Sequence, residues 1–296
     1  MTGGRRVVAR VPAKLNLHLE VLGRRPDGFH EIRSLFQAVS LYDRLELSAT
    51  RGELELRVLP RGLEGVSEGP ENLVLRALEE LRRAFRVRAG ARARLWKRIP
   101  VGAGLGGGSA DAAMALVAGA RLWRLRPAPA RLRALARRLG ADVPFFLGGG
   151  AAWMGGRGDR VLRRGRLPDF RAVVAYPGYP VSTREAYAGL EIPLTRAWRV
   201  PSIPHYSFAP CAGAHVVYQG TNAFEPWLRR RHPRIGALAR LLAGAGARGV
   251  RVTGSGSAVF GVVPDTRSAR ALNLRVRRAG SWAWIVRPVG GGVELL

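Results

Sequence analysis

The chain has 296 residues, 47% apolar and 24% charged, enough apolar material for two packed cores and too much for a disordered protein. Its formal net charge is +28, yet the 49 basic residues are 47 arginines spread through nearly every segment and two lysines, Lys14 and Lys97. A chain-wide preference for arginine explains that charge better than a basic face interleaved with aromatics, so nucleic acid is not the expected partner. The single cysteine, Cys211, excludes an internal disulfide and a CxxC knuckle and reads as a small buried apolar residue; no apolar run nears the roughly 20 residues of a membrane span and no signal-peptide core opens the chain, so a cytoplasmic protein without a membrane partner is expected.

Period-two alternation marks strands early in the chain: RVVARV, LNLHLEVLG, DRLELSA and ELELRVL. A Pro-Asp-Gly turn signal sits among them in RRPDGFHEIRS. Residues 71–85 carry Leu73, Leu75, Leu78 and Leu81 at helical spacing, and ARARLWK returns to alternation. IPVGAGLGGGSADAAMAL (99–116) then crowds Gly102, Gly104, Gly106, Gly107 and Gly108 into a loop leading to a helix expected from Ser109 to Trp123. PARLRALARRLG forms another helix, ended by Gly140, and GADVPFF places Asp142 before a buried apolar run. A composition shift near 167–169 predicts two domains, 1–166 and 167–296. The second contains a strand (RAVVAY), a short helix near 183–190, an irregular Pro-rich connection over about 194–217, and helices over about 222–227 and 235–243. It ends strand, glycine turn, strand, helix, strand, which makes the fold class α+β, with helices packed on sheets.

A glycine-rich loop between a strand and a helix is a phosphate site in several architectures. A P-loop is excluded, because no Gly-Lys pair occurs in the chain. Gly102, Gly104 and Gly107 match the dinucleotide string, but no acidic residue lies between Asp111 and Asp142 to take the ribose, and no βαβαβ rhythm surrounds it. HRD and DFG are absent too. What remains is the loop itself: glycines bring amide groups close to phosphate oxygens, and the helix start adds free donors and a positive dipole end. Ser109 either caps the helix or donates to a phosphate or Mg²⁺, and Asp111 in the first turn is favourable on structural grounds alone. In a chain that uses arginine for generic cations, the two lysines point to places where a compact ammonium is needed.

PVGAGLGGGSADAA (100–113) resembles the central motif of the GHMP kinases, whose glycine loop wraps the phosphates of ATP. Two further family motifs match in order, at 9–32 and 247–261, and the resemblance covers most of the chain, least over about 194–217 and the last residues. PAKLNL, RPDGFHEI, ENLVLRA and GADVPFF together are similar to the branch that phosphorylates 4-diphosphocytidyl-2-C-methyl-D-erythritol. The resemblance implies a two-domain fold, with a left-handed βαβ unit in the N-terminal domain and a ferredoxin-like C-terminal domain. It implies ATP and Mg²⁺ as cofactors and a cytidine diphosphate-linked methylerythritol as substrate.

By residue-level matching, Pro100, Val101, Gly102, Ala103, Gly104, Leu105, Gly106, Gly107, Gly108 and Ser109 form the ATP cradle, with Asn72 and Lys97 on the adenine side. Mg²⁺ is carried mainly by the phosphates, Ser109 being the protein candidate. Asp142 is the implied base, Lys14 its cationic partner, and Asn16 completes the acceptor site. The cytosine is expected between Phe29 and Tyr187 with His30 at its edge; Thr183 approaches the substrate phosphates, and Gly254, Ser255 and Gly256 close the site. On the residues alone, Asn72 is equally a helix cap, Lys14 a snorkelling strand residue, and Gly254 to Gly256 a hairpin turn. Phe29 stands where the branch often has Tyr, and Ala110 and Ala223 stand where it often has Ser and Asp. The competing readings are another GHMP kinase, of homoserine or mevalonate type, and a non-catalytic nucleotide- or RNA-binding protein.

Overall fold

In the computed structural model, which describes residues 5–61, 65–190, 217 and 219–296, two long antiparallel strands form the spine, β1 (Arg6–Arg24) and β2 (His30–Thr50). Cys211 and all of 194–217 except Val217 lie outside the described residues. The alternation legible in short pieces is continuous here, and the Pro-Asp-Gly turn joins the two strands. A bulge between Pro12 and Ala13 reverses which parity of β1 faces which layer. Val7, Ala9 and Val11 join the core under the helices, whereas Ala13, Leu15 and Leu17 join a core against the second sheet. Lys14 and Asn16 are thereby turned to the opposite side, beneath the glycine loop.

The chain continues through β3 (Leu54–Leu59), α1 (Leu73–Phe85) and β4 (Gly90–Trp96), and β3 and β4 pair in parallel, a βαβ unit. Strand β4 also pairs with residues 44–50 of β2, while β5 (Ala151–Gly155), extended by β6 (Arg160–Gly165), pairs with residues 34–37. Between them run α2 (Gly107–Leu122), α3 (Pro129–Leu139) and the one-turn α4 (Val143–Phe146). Helix α2 is buried on nearly every side, against α1, β1 and β2, which is why its core positions are alanines such as Ala110, Ala112, Ala113, Ala115 and Ala118. It starts at Gly107 rather than Ser109, because Gly106 takes φ 74° and caps it.

The second sheet holds β7 (Arg171–Tyr176), β8 (Arg248–Val252), β9 (Val259–Val263) and β10 (Trp282–Val286) in the order β10-β7-β9-β8, all antiparallel. With α7 (Pro233–Gly244) before β8 and α8 (Thr266–Arg278) before β10, this is the ferredoxin-like arrangement. Among the described residues, the short helices α5 (Thr183–Ala188) and α6 (Glu225–Arg231) lie between β7 and α7. Helix α6 begins later than the expected 222 because the Asn222 side chain is taken by other groups: it accepts from Phe224 N at 2.9 Å and donates to Val252 O and Gly254 O, both at 2.8 Å. Leu15, Leu17, Leu35, Trp153, Phe170, Val174 and Phe260 fill the space between the sheets.

At the C-terminus the structure departs from a plain division at 166. After β10 the chain crosses back to the first sheet, where β11 (Glu294–Leu295) pairs with Ala9 and Arg10 and Val289 N donates to Ala38 O at 2.9 Å. No helix among the described residues is long and apolar enough to cross a membrane. Gly149 sits at φ 58°, where a Cβ would lie 1.9 Å from Gly291 O. Gly149→Ala is therefore expected to expel the returning tail and lower stability by about 2 kcal/mol or more, measured by urea denaturation.

Candidate active site

The loop 100–106 joins the end of β4 to the start of α2, and its carbonyl groups are bonded outward. Lys14 N donates to Leu105 O at 3.0 Å, Val181 N to Gly102 O at 3.1 Å, Ala258 N to Ala103 O at 3.1 Å, and Thr253 Oγ1 to Gly104 O at 3.3 Å. The partners belong to β1, to the segment before α5 and to the β8–β9 turn. At Gly104 (φ 76°) a Cβ would sit 2.0 Å from Thr253 O, so the contact requires glycine. Helix α2 begins at the other end of this loop with the unpaired amide groups of any helix start facing the cleft.

The cleft measures about 1080 Å³, and residues 100–104 and 106–109 line it, with the Ser109 side chain half-buried at the helix start. Leu105 does not; its side chain turns into the core between the sheets. On the far wall are Gly254 and Ser255, whereas Gly256 stands behind them against Leu228. Thr183 Oγ1 lies 3.0 Å from Ser255 Oγ and links α5 to that turn.

Deep in the cleft, Lys14 Nζ lies 3.5 Å from Asp142 Oδ2, just before α4. The Lys14 side chain is 4% exposed, so it does not snorkel to the surface. Burial lowers its pKa from the ordinary 10.5, opposed by the Asp142 carboxylate. Its ammonium also donates to Asn16 Oδ1 and lies 4.7 Å from the centre of the Phe36 ring. Asn16 is fixed in turn, donating to Ser34 Oγ at 2.9 Å through its amide and to Thr253 Oγ1 at 3.0 Å through its backbone. Lys14, Asp142 and Asn16 thus meet as expected.

Lys97 and Asn72 stand at the wall of the cleft with polar atoms bonded within the protein. The Asn72 side chain caps α1, accepting from Val74 N at 2.9 Å, and donates to Ser67 O at 2.7 Å. The Lys97 ammonium is buried between Asp43 and Asp111, 2.7 Å from Asp111 Oδ2. Two carboxylates outweigh burial and hold the Lys97 pKa above its ordinary value; burial, reinforced by Asp43, pushes Asp111 well above the usual carboxylate range against the pull of Lys97. Asp43 was missed in the sequence. Its signal is parity: it is buried in step with Leu45 and Leu47 on β2, an acidic residue where the pattern asks for an apolar one.

At the mouth, Phe29 is 53% exposed, with the Arg157 guanidinium 4.4 Å from its ring centre. His30 stacks on Tyr187 (4.7 Å between ring centres, 16° between planes), and Tyr187 meets Phe224 edge-on. Instead of an open slot between Phe29 and Tyr187, the His30 ring itself covers Tyr187, as two adjacent rings reduce their exposed area by stacking. Burial and the charge of Asp142 push the Tyr187 hydroxyl up to about 12, while burial and Arg24 lower the His30 imidazole. No group of three or more His, Cys, Asp or Glu among the described residues is arranged to hold a metal.

A glycine loop at a helix start, facing a buried lysine and carboxylate across a cleft between two domains, is the site of a small-molecule phosphotransferase. Models of the GHMP kinases N terminal domain and the GHMP kinases C terminal domain match residues 72–150 and 214–281. The 4-diphosphocytidyl-2-C-methyl-D-erythritol kinase of Pelotomaculum thermopropionicum is 42% identical over 282 residues, 95% of this chain and 97% of that protein. A crystal structure of a 4-(cytidine 5'-diphospho)-2C-methyl-D-erythritol kinase superposes with a TM-score of 0.80 at 37% identity, covering 96% of this chain and 100% of that one. The homoserine kinase of Cytophaga hutchinsonii, 18% identical with a TM-score of 0.76 over 100% of this chain and 99% of its own, shares the fold. This chain belongs to the GHMP kinases, which transfer phosphate from ATP.

Gly104→Ala tests the outward bonding of the loop. It is expected to raise the KM for ATP and lower thermal stability together, since the added methyl pushes Thr253 and the loop apart; unchanged steady-state kinetics and melting temperature would contradict that.

Proposed function

We propose that the protein phosphorylates the 2-hydroxyl of 4-diphosphocytidyl-2-C-methyl-D-erythritol with ATP, in the route to isoprenoids, in the cytoplasm. The observation that carries the reading is the pair of buried Lys14 and half-buried Asp142, placed between the glycine loop and the aromatic mouth. Identity of 42% to a kinase named for that substrate supports the choice of acceptor.

In this reading the amide groups of loop 100–106 and of the α2 start hold the donor's phosphates. The acceptor hydroxyl lies beside Asp142, which takes its proton as the oxygen attacks the γ-phosphorus in line and the bond to the β-phosphate oxygen breaks. Lys14 lies beside the carboxylate and offsets charge building on the transferred group. Asn16 orients the acceptor, and Thr183 and Ser255 stand beside its diphosphate. Phe29, His30 and Tyr187 receive the cytosine, with the His30 ring leaving Tyr187 as the base enters. Mg²⁺ fits here as an ion carried by the donor's phosphates, with the Ser109 hydroxyl as its protein contact, and it supplies charge neutralisation at the transferred group. The catalytic unit is assigned to residues 1–166 with the returning tail, and the substrate-side unit to 167–287. Nucleic acid is no partner in this reading.

ADP release coupled to a reporter, compared across the cytidylyl acceptor, homoserine and mevalonate, tests the acceptor. Turnover only with the first is expected, and turnover only with the others overturns the assignment. Asp142→Asn is expected to lower kcat by about 10²- to 10⁴-fold with ATP binding retained, the retained part being checked by calorimetry. The charge on Lys14 is present at low pH and lost as pH rises through a pKa below 10.5, so the alkaline limb of kcat should begin below that value and disappear in Lys14→Met, whose residual rate is low at every pH.

A further inference from the structure

Both ends of the glycine loop are tied to one buried ammonium through two carboxylates. At the entry, Asp43 Oδ1 accepts the backbone N–H groups of Arg98 at 2.6 Å and Ile99 at 2.9 Å. Its other oxygen accepts from the Lys97 ammonium. At the exit, one turn into α2, Asp111 Oδ2 accepts from the same ammonium at 2.7 Å. Asp43 is 0% exposed, Asp111 4% and Lys97 8%. Lys97 Nζ lies directly beneath the first residue of α2, 3.1 Å from where a Gly107 Cβ would stand.

The second oxygen of Asp111 is buried without a hydrogen-bond partner among the described residues. A buried polar atom left in that state is unfavourable for stability, so it is no ordinary core choice. Nor are three buried ionisable groups, where an apolar trio of similar volume would pack as well. Their arrangement does one thing that apolar side chains cannot: it sets the distance between residues 98–99 and the first turn of α2, across a loop whose glycines leave it the freedom to collapse or splay.

We propose that Asp43, Lys97 and Asp111 are positioning residues for the phosphoryl donor, an ionic staple that holds the two ends of loop 100–106 at the separation at which its amide groups and those of α2 meet the phosphates. Lys97 then acts on the phosphates through the loop and not on adenine. The inference rests on ATP being the donor, and it is tested without any acceptor, so that its failure is separate from a wrong acceptor.

Asp111→Ala removes the exit link and leaves Lys97 paired with Asp43. In calorimetry on the full chain, ATP affinity is expected to fall about tenfold or more while adenosine affinity stays within about twofold, since adenosine carries no phosphate to meet the loop. Asp111→Asn, whose amide oxygen still accepts from Lys97, is expected to restore ATP affinity to within about threefold. Asp111→Leu fills the same volume without an acceptor and replaces the alanine variant should that one not fold. ATP affinity within twofold of the parent in the folded alanine or leucine variant overturns the proposal. So does an equal loss for ATP and adenosine, which would mark a general loss of structure.

Discussion

The glycine loop and the elements that meet at it are held by the outward bonding of the loop's carbonyl groups. Its carbonyls are taken by Lys14 N, Val181 N, Ala258 N and the Thr253 hydroxyl, donors from both domains. A peptide unit whose oxygen is fixed on one side presents its amide to the other, so saturation of the acceptors turns the donors inward. The same bonds close the interface: the loop is the piece of backbone through which the second sheet touches the first where chemistry takes place. The lining of the cleft and the contact between the domains are one network, which is why Gly104 tolerates no side chain.

The second constraint is the bulge in β1. At the bulge between Pro12 and Ala13, where Ser40 and Leu41 of β2 have no partner on β1, the two faces of the strand exchange, so a run that begins by burying Val7, Ala9 and Val11 under the helices ends with Lys14 and Asn16 on that helix-side face. Without it Lys14 would point at Phe260 and the second sheet, and Asp142 would have no cation. The position of the buried ammonium is thus decided by backbone register, and its 3.5 Å approach to Asp142 follows from where α4 ends the turn after Gly140.

Much of this was legible in the sequence. Period two gave the strands, the glycine run gave the loop that lines the cleft, and RAVVAY with the strand, turn, strand, helix, strand order at the end is the observed second sheet. The scarcity of lysine also carried information: of the two in the chain, Lys14 is 3% and Lys97 8% exposed, and each faces a carboxylate in the cleft. What was not legible depended on direction. Leu105 sits in the motif but faces the core, because a loop has no periodicity from which to read facing. Asn72 and Lys97 lie beside the cleft with their polar atoms already bonded, a fact of three dimensions. Asp43 is far from the loop in sequence, and its one signal was an acidic residue on an apolar parity. Stacking of His30 on Tyr187 joins residues 157 positions apart in sequence, beyond any local pattern.

The returning tail has a mechanical consequence. The chain leaves the first sheet after β6 and re-enters it after β10, where residues 288–295 lie along β1 and β2. The second sheet is therefore attached by two covalent crossings rather than one. A domain on a single tether can swing and slide in any direction, but a domain on two is restricted to rotation about the line that joins them, as a door is by its pair of hinges. Any opening of the cleft would then follow one coordinate, so that the loop at the interface returns to the same register each time the domains come together.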